Sequence, residues 1–341
     1  MIRAFDWRDV GLVKTLADRG VCLDSETGLT EGNHPLQHAL VAYLMPMTGA
    51  PTLIWRADGN GHAAFGQLRH RPGEEHARVL FIAPAAQQAG DGWQNMIERL
   101  AVEAGERRAQ NLIAEVNDKS PEYETLREAG FAIYARQTLW KLAANQLTGA
   151  EAEAVALRPA VRADTVAVNT LYSNVVPRLV QQVEPGPQHI ERGYVLHEAG
   201  ELVAYLDVRR GPQGVWVEPF LHPEADDCAE AVLTTCLRLL PGRAEKPLFV
   251  CVRRYQNWLQ EVVARVGFEP LGSQAVMVKR LAVRLAEPVL KPLPVVEGQV
   301  PTPIASTRYT AGDDVNHAPA TPSKLGWDWS WWLPHAKTNH R

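Results

Sequence analysis

The stretch FIAPAAQQAGDGW (81–93) carries the strongest chemical signal in this chain. An apolar run stops at Pro84, which has no N–H with which to continue a strand, and passes into a turn containing Gly90 and Gly92. A strand that ends in a small-residue turn just before a helix aims several backbone N–H groups and the positive helix end at one point, where a phosphate fits. Glycine there serves a tight turn and a close backbone approach equally well. Two nucleotide motifs are excluded: GDGWQN has no third glycine at the dinucleotide-binding spacing, and no Lys-Ser/Thr pair follows as in a Walker loop. His34 and His38 in HPLQH can share a helix face, but no third ligand accompanies them, so no metal is expected. Cys22, Cys228, Cys236 and Cys251 include no CxxC pair and read as buried free thiols. Arg209–Arg210 and Arg253–Arg254 end strands; they are either solvated or face a common groove that would attract an anion.

The elements around the glycine turn follow from periodicity. TLIWR (52–56), a DGNG turn (58–61), HAAFGQLRHR (62–71) and HARVLFIAP (76–84) read as consecutive antiparallel strands. Trp93, Met96, Ile97, Leu100, Ala101 and Ala104 then recur at helical steps, so one helix face meets a core. NLIAEV (111–116) is a buried strand, SPEYETLREAG (120–130) a helix capped by Ser120 and stopped by Gly130, and FAIYARQTLWKL (131–142) a last strand. The same order returns later. A hairpin over 193–210, strand 214–223, helix 229–240, strand 247–252, helix 258–267 and strand 268–281 repeat it. The Gly-Phe corners lie 137 residues apart (268 − 131), as do the glutamines Gln137 and Gln274 (274 − 137).

With 341 residues, two domains and a remainder are expected: residues 1–145, a linker 146–156, residues 157–284, and a Pro/Trp-rich tail 285–341. The fold class is α/β (α+β), each half a mixed, mostly antiparallel sheet flanked by helices. The tail ends in LGWDWSWWLP, a tryptophan cluster that either packs on its own chain or docks a partner, including a second copy in a homodimer. A net charge of −4 and a pI near 6.3 argue against nucleic acid and anionic membranes as partners. No window of apolar residues is long enough for a signal or a span, so a cytoplasmic location is expected.

Beyond these readings, PAAQQAGDG resembles the acyl-CoA pyrophosphate loop of the GNAT (GCN5-related) N-acyltransferases, Gln/Arg-x-x-Gly-x-Gly/Ala after a strand-ending proline, with Gln87, Gly90 and Gly92 at its fixed positions. The order of elements over 1–142 resembles that family too, and 157–282 resembles it again, as a tandem similar to the mycothiol synthases in arrangement. The resemblance implies acetyl-CoA as co-substrate and transfer of its acetyl group to an amine of a small molecule or peptide by direct attack, with no metal. It implies that amides of Gln87, Gln88, Ala89, Gly90, Asp91 and Gly92 hold the pyrophosphate, that Ile82 lies along the pantetheine arm, and that Asn117 approaches it. The family's general acid is a tyrosine, but its position holds Leu126 here, and Tyr123 one turn earlier is the substitute. Glu75 and Glu218 are the candidate bases, Glu75 being equally readable as a solvated residue of the turn RPGEEH.

Three departures temper these implications. The loop carries Asp91 instead of a basic residue, and that carboxylate can cap the following helix and compete for its amides. The second half, HPEADDCAEAV, has no glycine and carries Glu224, Asp226 and Asp227 at the corresponding place, so no CoA is expected there. Its tyrosine position is Val263. A non-catalytic protein that binds CoA or another ligand is therefore the second expectation.

Overall fold

The computed structural model describes residues 2–45, 50–57, 62–71, 73–144, 146, 154–241 and 245–281. The DGNG turn, residues 147–153 of the linker, and the Pro/Trp-rich tail lie outside the described residues. The first half contains β1 (Ile2–Ala4), α1 (Val10–Ala17), β2 (Val21–Cys22), α2 (Ser25–Thr30), α3 (Pro35–Leu44), β3 (Thr52–Arg56), β4 (Ala63–Arg69) and β5 (His76–Ala83). It continues with α4 (Ala86–Ala89), α5 (Gly92–Glu106), β6 (Asn111–Val116), α6 (Pro121–Glu128) and β7 (Ala132–Leu142). The second half repeats the plan with β8 (Arg158–Pro159), α7 (Thr165–Val175), α8 (Arg178–Gln181), β9 (Tyr194–Glu198), β10 (Glu201–Arg210) and β11 (Val215–Leu221). It ends with α9 (Asp226–Leu239), β12 (Leu248–Arg253), α10 (Leu259–Arg265) and β13 (Glu269–Arg280).

The strands join in one mixed sheet in the order β1-β3-β4-β5-β6-β13-β7-β12-β11-β10-β9-β8, with β2 paired to β5 off this path. The order shows an exchange: β13, last strand of the second half, pairs antiparallel with β6 of the first, while β7 pairs antiparallel with β12. The exchanged strands also pair with each other over nearly their whole length. The two halves thus repeat one plan within a single unit, Met1–Ala286. Neither half completes its own sheet.

Local chemistry explains the elements that carry the glycine turn. The stripe foreseen on α5 is buried at Trp93, Met96, Ile97, Leu100 and Ala104, against β3 and β4. Trp93 satisfies its indole N–H by donating to the Pro84 carbonyl at 2.7 Å. Gly66 on β4 admits α5, since a Cβ there would lie 2.7 Å from Met96 Cγ. Between β4 and β5 the register slips, Gln67 facing Phe81 and Leu68 facing Val79, so Leu80 is a bulge that turns the end of β5 away from β6. Among the described residues no helix is long and apolar enough to cross a membrane.

Candidate functional site

The glycine turn forms as its sequence requires. After Pro84 the chain makes the single turn α4, passes Gly90 at φ +52°, and starts α5 at Gly92. Gln87, Gln88, Gly90 and Asp91 are exposed, while Ala89 is buried. Asp91 makes no side-chain cap on α5, so the competition for its first amides foreseen in the sequence does not occur. The two glycines differ in role. A Cβ on Gly90 would meet nothing within 4 Å, so its side faces open space; a Cβ on Gly92 would sit 3.0 Å from the Trp55 ring. Gly92 is small because of packing, not because of the space before the loop. The buried Glu122 of α6 accepts from the Ala86 amide at 3.3 Å and so places a carboxylate beside the turn.

A second feature lies where β5 and β6 diverge. The two strands pair in parallel only from His76 to Arg78 against Asn111 to Ile113. Beyond the Leu80 bulge, the chain's own segment 19–23 enters the gap. Val21 and Cys22 pair with Ile82 and Phe81, and the Leu23 amide donates to the Leu80 carbonyl at 2.9 Å. The Glu115 amide donates to the Leu23 carbonyl at 2.8 Å, and the Ala85 amide to the Arg19 carbonyl at 2.7 Å. The strap closes the edge of β5 from the bulge to the glycine turn. Gly20 makes this possible, because a Cβ there would drive into the Phe81 ring and lie 2.7 Å from Ala83 Cβ. Ile82, expected along a pantetheine arm, is fully buried with that edge occupied.

The second half closes the corresponding gap with one side chain. Buried Gln256, after β12, donates from Nε2 to the Pro219 carbonyl at 2.8 Å and accepts from the Leu221 amide at 3.0 Å. Its amide imitates a strand against β11. The N-terminal end of α9 carries Asp226 and Asp227.

Between the halves, charged groups alternate in a chain. Glu115 accepts from Arg78 at 2.9 Å, Arg78 reaches Glu184 at 3.3 Å, Glu184 accepts from Arg253 at 2.9 Å, and Arg253 donates to Glu218 at 3.2 Å. Tyr134 also donates to Glu184. Burial by itself would raise the Glu184 carboxyl, but Arg253 and Arg78 hold it at about 2. Burial prevails at Glu115 and Glu218, whose carboxyls are both raised despite Arg78 and Arg253 respectively. Arg69 pairs with Asp24 at 2.8 Å, and Arg209 with Glu26 and with Asp207. These groups surround a cavity of about 80 Å³, to which Arg69, Arg78, Arg209, Glu218 and Arg253 contribute. The common groove foreseen for the paired arginines is therefore realised by Arg209 and Arg253. Arg210 instead donates to Tyr194, and Arg254 is exposed.

The three candidate acid–base residues are not brought together. Glu75 is exposed just before β5, its carbonyl accepting from the Gln110 amide at 2.7 Å, with the whole length of β5, roughly 25 Å, between it and the glycine turn. Tyr123 is half-buried on α6 and packs on the core of the first half. Glu218 lies in the central cavity. Asn117 is exposed and accepts from the Lys119 amide at 2.9 Å. Sequence reading missed Arg78, Glu115 and Glu184. A signal existed for two of them: each is a lone charge inside an apolar strand, HARVLFIA and NLIAEV, where only a partnered group is tolerated. Among the described residues no group of His, Cys, Asp or Glu could hold a metal; His34 contacts Gln213 and His38 lies near Glu31. The cysteines are free.

No family model matches the sequence, and no curated protein matches it. Solved structures do. The chain is similar to a GCN5-related N-acetyltransferase from Sphaerobacter thermophilus at 12% identity and TM-score 0.54, covering 82% of this chain and 95% of the other. It is similar to a tandem GNAT protein from the clavulanic acid biosynthesis pathway, solved without AcCoA, at 16% identity and TM-score 0.50, covering 82% and 98%. At these identities the likeness defines the fold: this chain has the fold of the GNAT acetyltransferases.

Proposed function

We propose that the protein is an acyl-CoA-dependent N-acyltransferase that moves an acetyl group from acetyl-CoA to an amine, with the cofactor in the first half. The observation that carries this reading is the bulged, proline-ended β5 running into an uncapped turn at the start of α5. The Gln87–Gly92 amides would hold the diphosphate, and the edge of β5 around Ile82 would take the pantetheine once the 19–23 strap has withdrawn. The amine nitrogen attacks the thioester carbonyl, the C–S bond breaks, and the CoA thiolate leaves. The nitrogen's proton passes to a base and a proton is returned to sulfur.

Glu115 is the base we assign, in place of Glu75, because it lies one residue from the end of the strand bordering the gap, its amide bonded to the strap, and its raised carboxyl suits proton uptake. Tyr123, on the helix whose Glu122 touches the turn, is the donor to sulfur. Thiol release from acetyl-CoA with a panel of small amines and amino-terminal peptides tests the reading. Release that depends on amine, with kcat lowered about a hundredfold in Glu115→Gln at an unchanged KM for acetyl-CoA, supports it. No release above background across the panel contradicts it.

One observation favours a second reading. Both strand gaps are sealed by the protein's own hydrogen bonds, through 19–23 in one half and Gln256 in the other. If the strap is permanent, the protein is a non-catalytic GNAT-fold protein that binds a ligand elsewhere. Acetyl-CoA then leaves the strap undisturbed.

A further inference from the structure

We infer that the central cavity between the halves is a binding site for a small oxyanion, a carboxylate or phosphate, separate from the glycine turn. Its wall includes Arg69, Arg71, Arg78, Arg192, Arg209 and Arg253, against the carboxylates Glu74, Glu184, Asp207 and Glu218. Most of these cations are already engaged. Asp24, Glu26 and Glu115 stand behind the wall and hold Arg69, Arg209 and Arg78 in place. Net charge is therefore not the argument.

What points to an anion is the set of nitrogen atoms left over. Arg253, whose side chain is 4% exposed, spends Nε on Glu218 and Nη2 on Glu184, yet its Nη1 has no acceptor within the described residues. Arg209 Nε and His76 Nδ1, on the same wall, are buried and also without partners. Buried guanidinium donors are almost always paired, and a planar fork with a spare N–H matches the geometry of a carboxylate or phosphate oxygen. The segment Pro185–His189 forms part of the wall, and Arg71, which pairs with Glu74 at 3.5 Å and has a side chain 41% exposed, is the arginine of the wall most open to solvent. Carboxylates at Glu184 and Glu218 limit the occupant to a compact anion that keeps to the arginine side.

Calorimetric titration of the full chain with inorganic phosphate and, separately, with succinate tests this without any acyl-CoA, so its outcome is independent of the transferase reading. Expected is one-site binding of one of the two probes, weakened at least tenfold in Arg253→Gln and in Arg71→Gln. The second variant, at the more exposed side chain, keeps the test decisive if the buried substitution unfolds the protein. Which probe binds separates a carboxylate ligand from a phosphate one. Failure of both probes to bind the folded parent would overturn the inference. So would binding that Arg71→Gln leaves unchanged, which would place the anion elsewhere, as at the start of α5.

Discussion

At the scale of single residues, the charged chain between the halves makes the sharpest demands. Glu184 touches Arg78, Arg253 and Tyr134, so removing it takes one of two carboxylate partners from each of two poorly solvated guanidiniums, leaving Arg78 only Glu115 and Arg253 only Glu218. Glu184→Ala is expected to cost about 3–5 kcal/mol of unfolding free energy by urea titration, far above a surface substitution. His76 sets a pH response. Burial holds its imidazole at about 4, below the ordinary 6.5, so the unfolded chain takes up a proton first. Stability from this group is present above pH 6.5 and is lost as pH falls from 6.5 to 4, on the order of 3 kcal/mol in all. Glu184, held at about 2, adds a loss of the same sign at lower pH. Urea midpoints measured from pH 7 to 4 should fall less steeply in His76→Gln. The sequence showed that Gly90 and Gly92 make a small-residue turn; it could not show that Gly92 answers to Trp55, because that contact joins residues far apart in the chain.

At the scale of elements, periodicity carried the reading far. The stripe Trp93 to Ala104, the Gly130 stop and the repeated order of strands and helices were all legible, because each rests on neighbours a few residues apart. The strap was not. VCLDS shows no strand period, and its two-residue strand exists only because β5 bulges away from β6 and leaves backbone groups to be satisfied. Gly20 is the residue that keeps it in place. Gly20→Ala should push the strap off Phe81 and Ala83, and amide exchange at 21–23 is expected to accelerate by at least tenfold while exchange in α5 is unchanged. An unaltered rate at 21–23 would show that the contact with β5 absorbs the extra methyl.

At the scale of the whole molecule, the reciprocal exchange of β7 and β13 binds the halves together. Composition and spacing foresaw two copies of one plan, and nothing local could reveal that each copy lends its last strand to the other. A fragment of residues 1–145 would leave β6 without its β13 neighbour and β7 without β12, two bare edges in an apolar sheet. It is expected to aggregate on refolding, whereas residues 1–286 should remain monodisperse by light scattering. The same continuity places the glycine turn, the strap and the arginine cavity along one sheet. The central claim is that acetyl-CoA enters the first half by displacing the strap. Hydrogen–deuterium exchange of the intact chain, with and without saturating acetyl-CoA, tests it most directly. The account predicts slower exchange at 88–94, where amides gain the diphosphate, and faster exchange at 20–24, where the Leu23 amide loses the Leu80 carbonyl. Unchanged exchange in both segments of the folded protein would contradict it and leave the GNAT fold here without its cofactor.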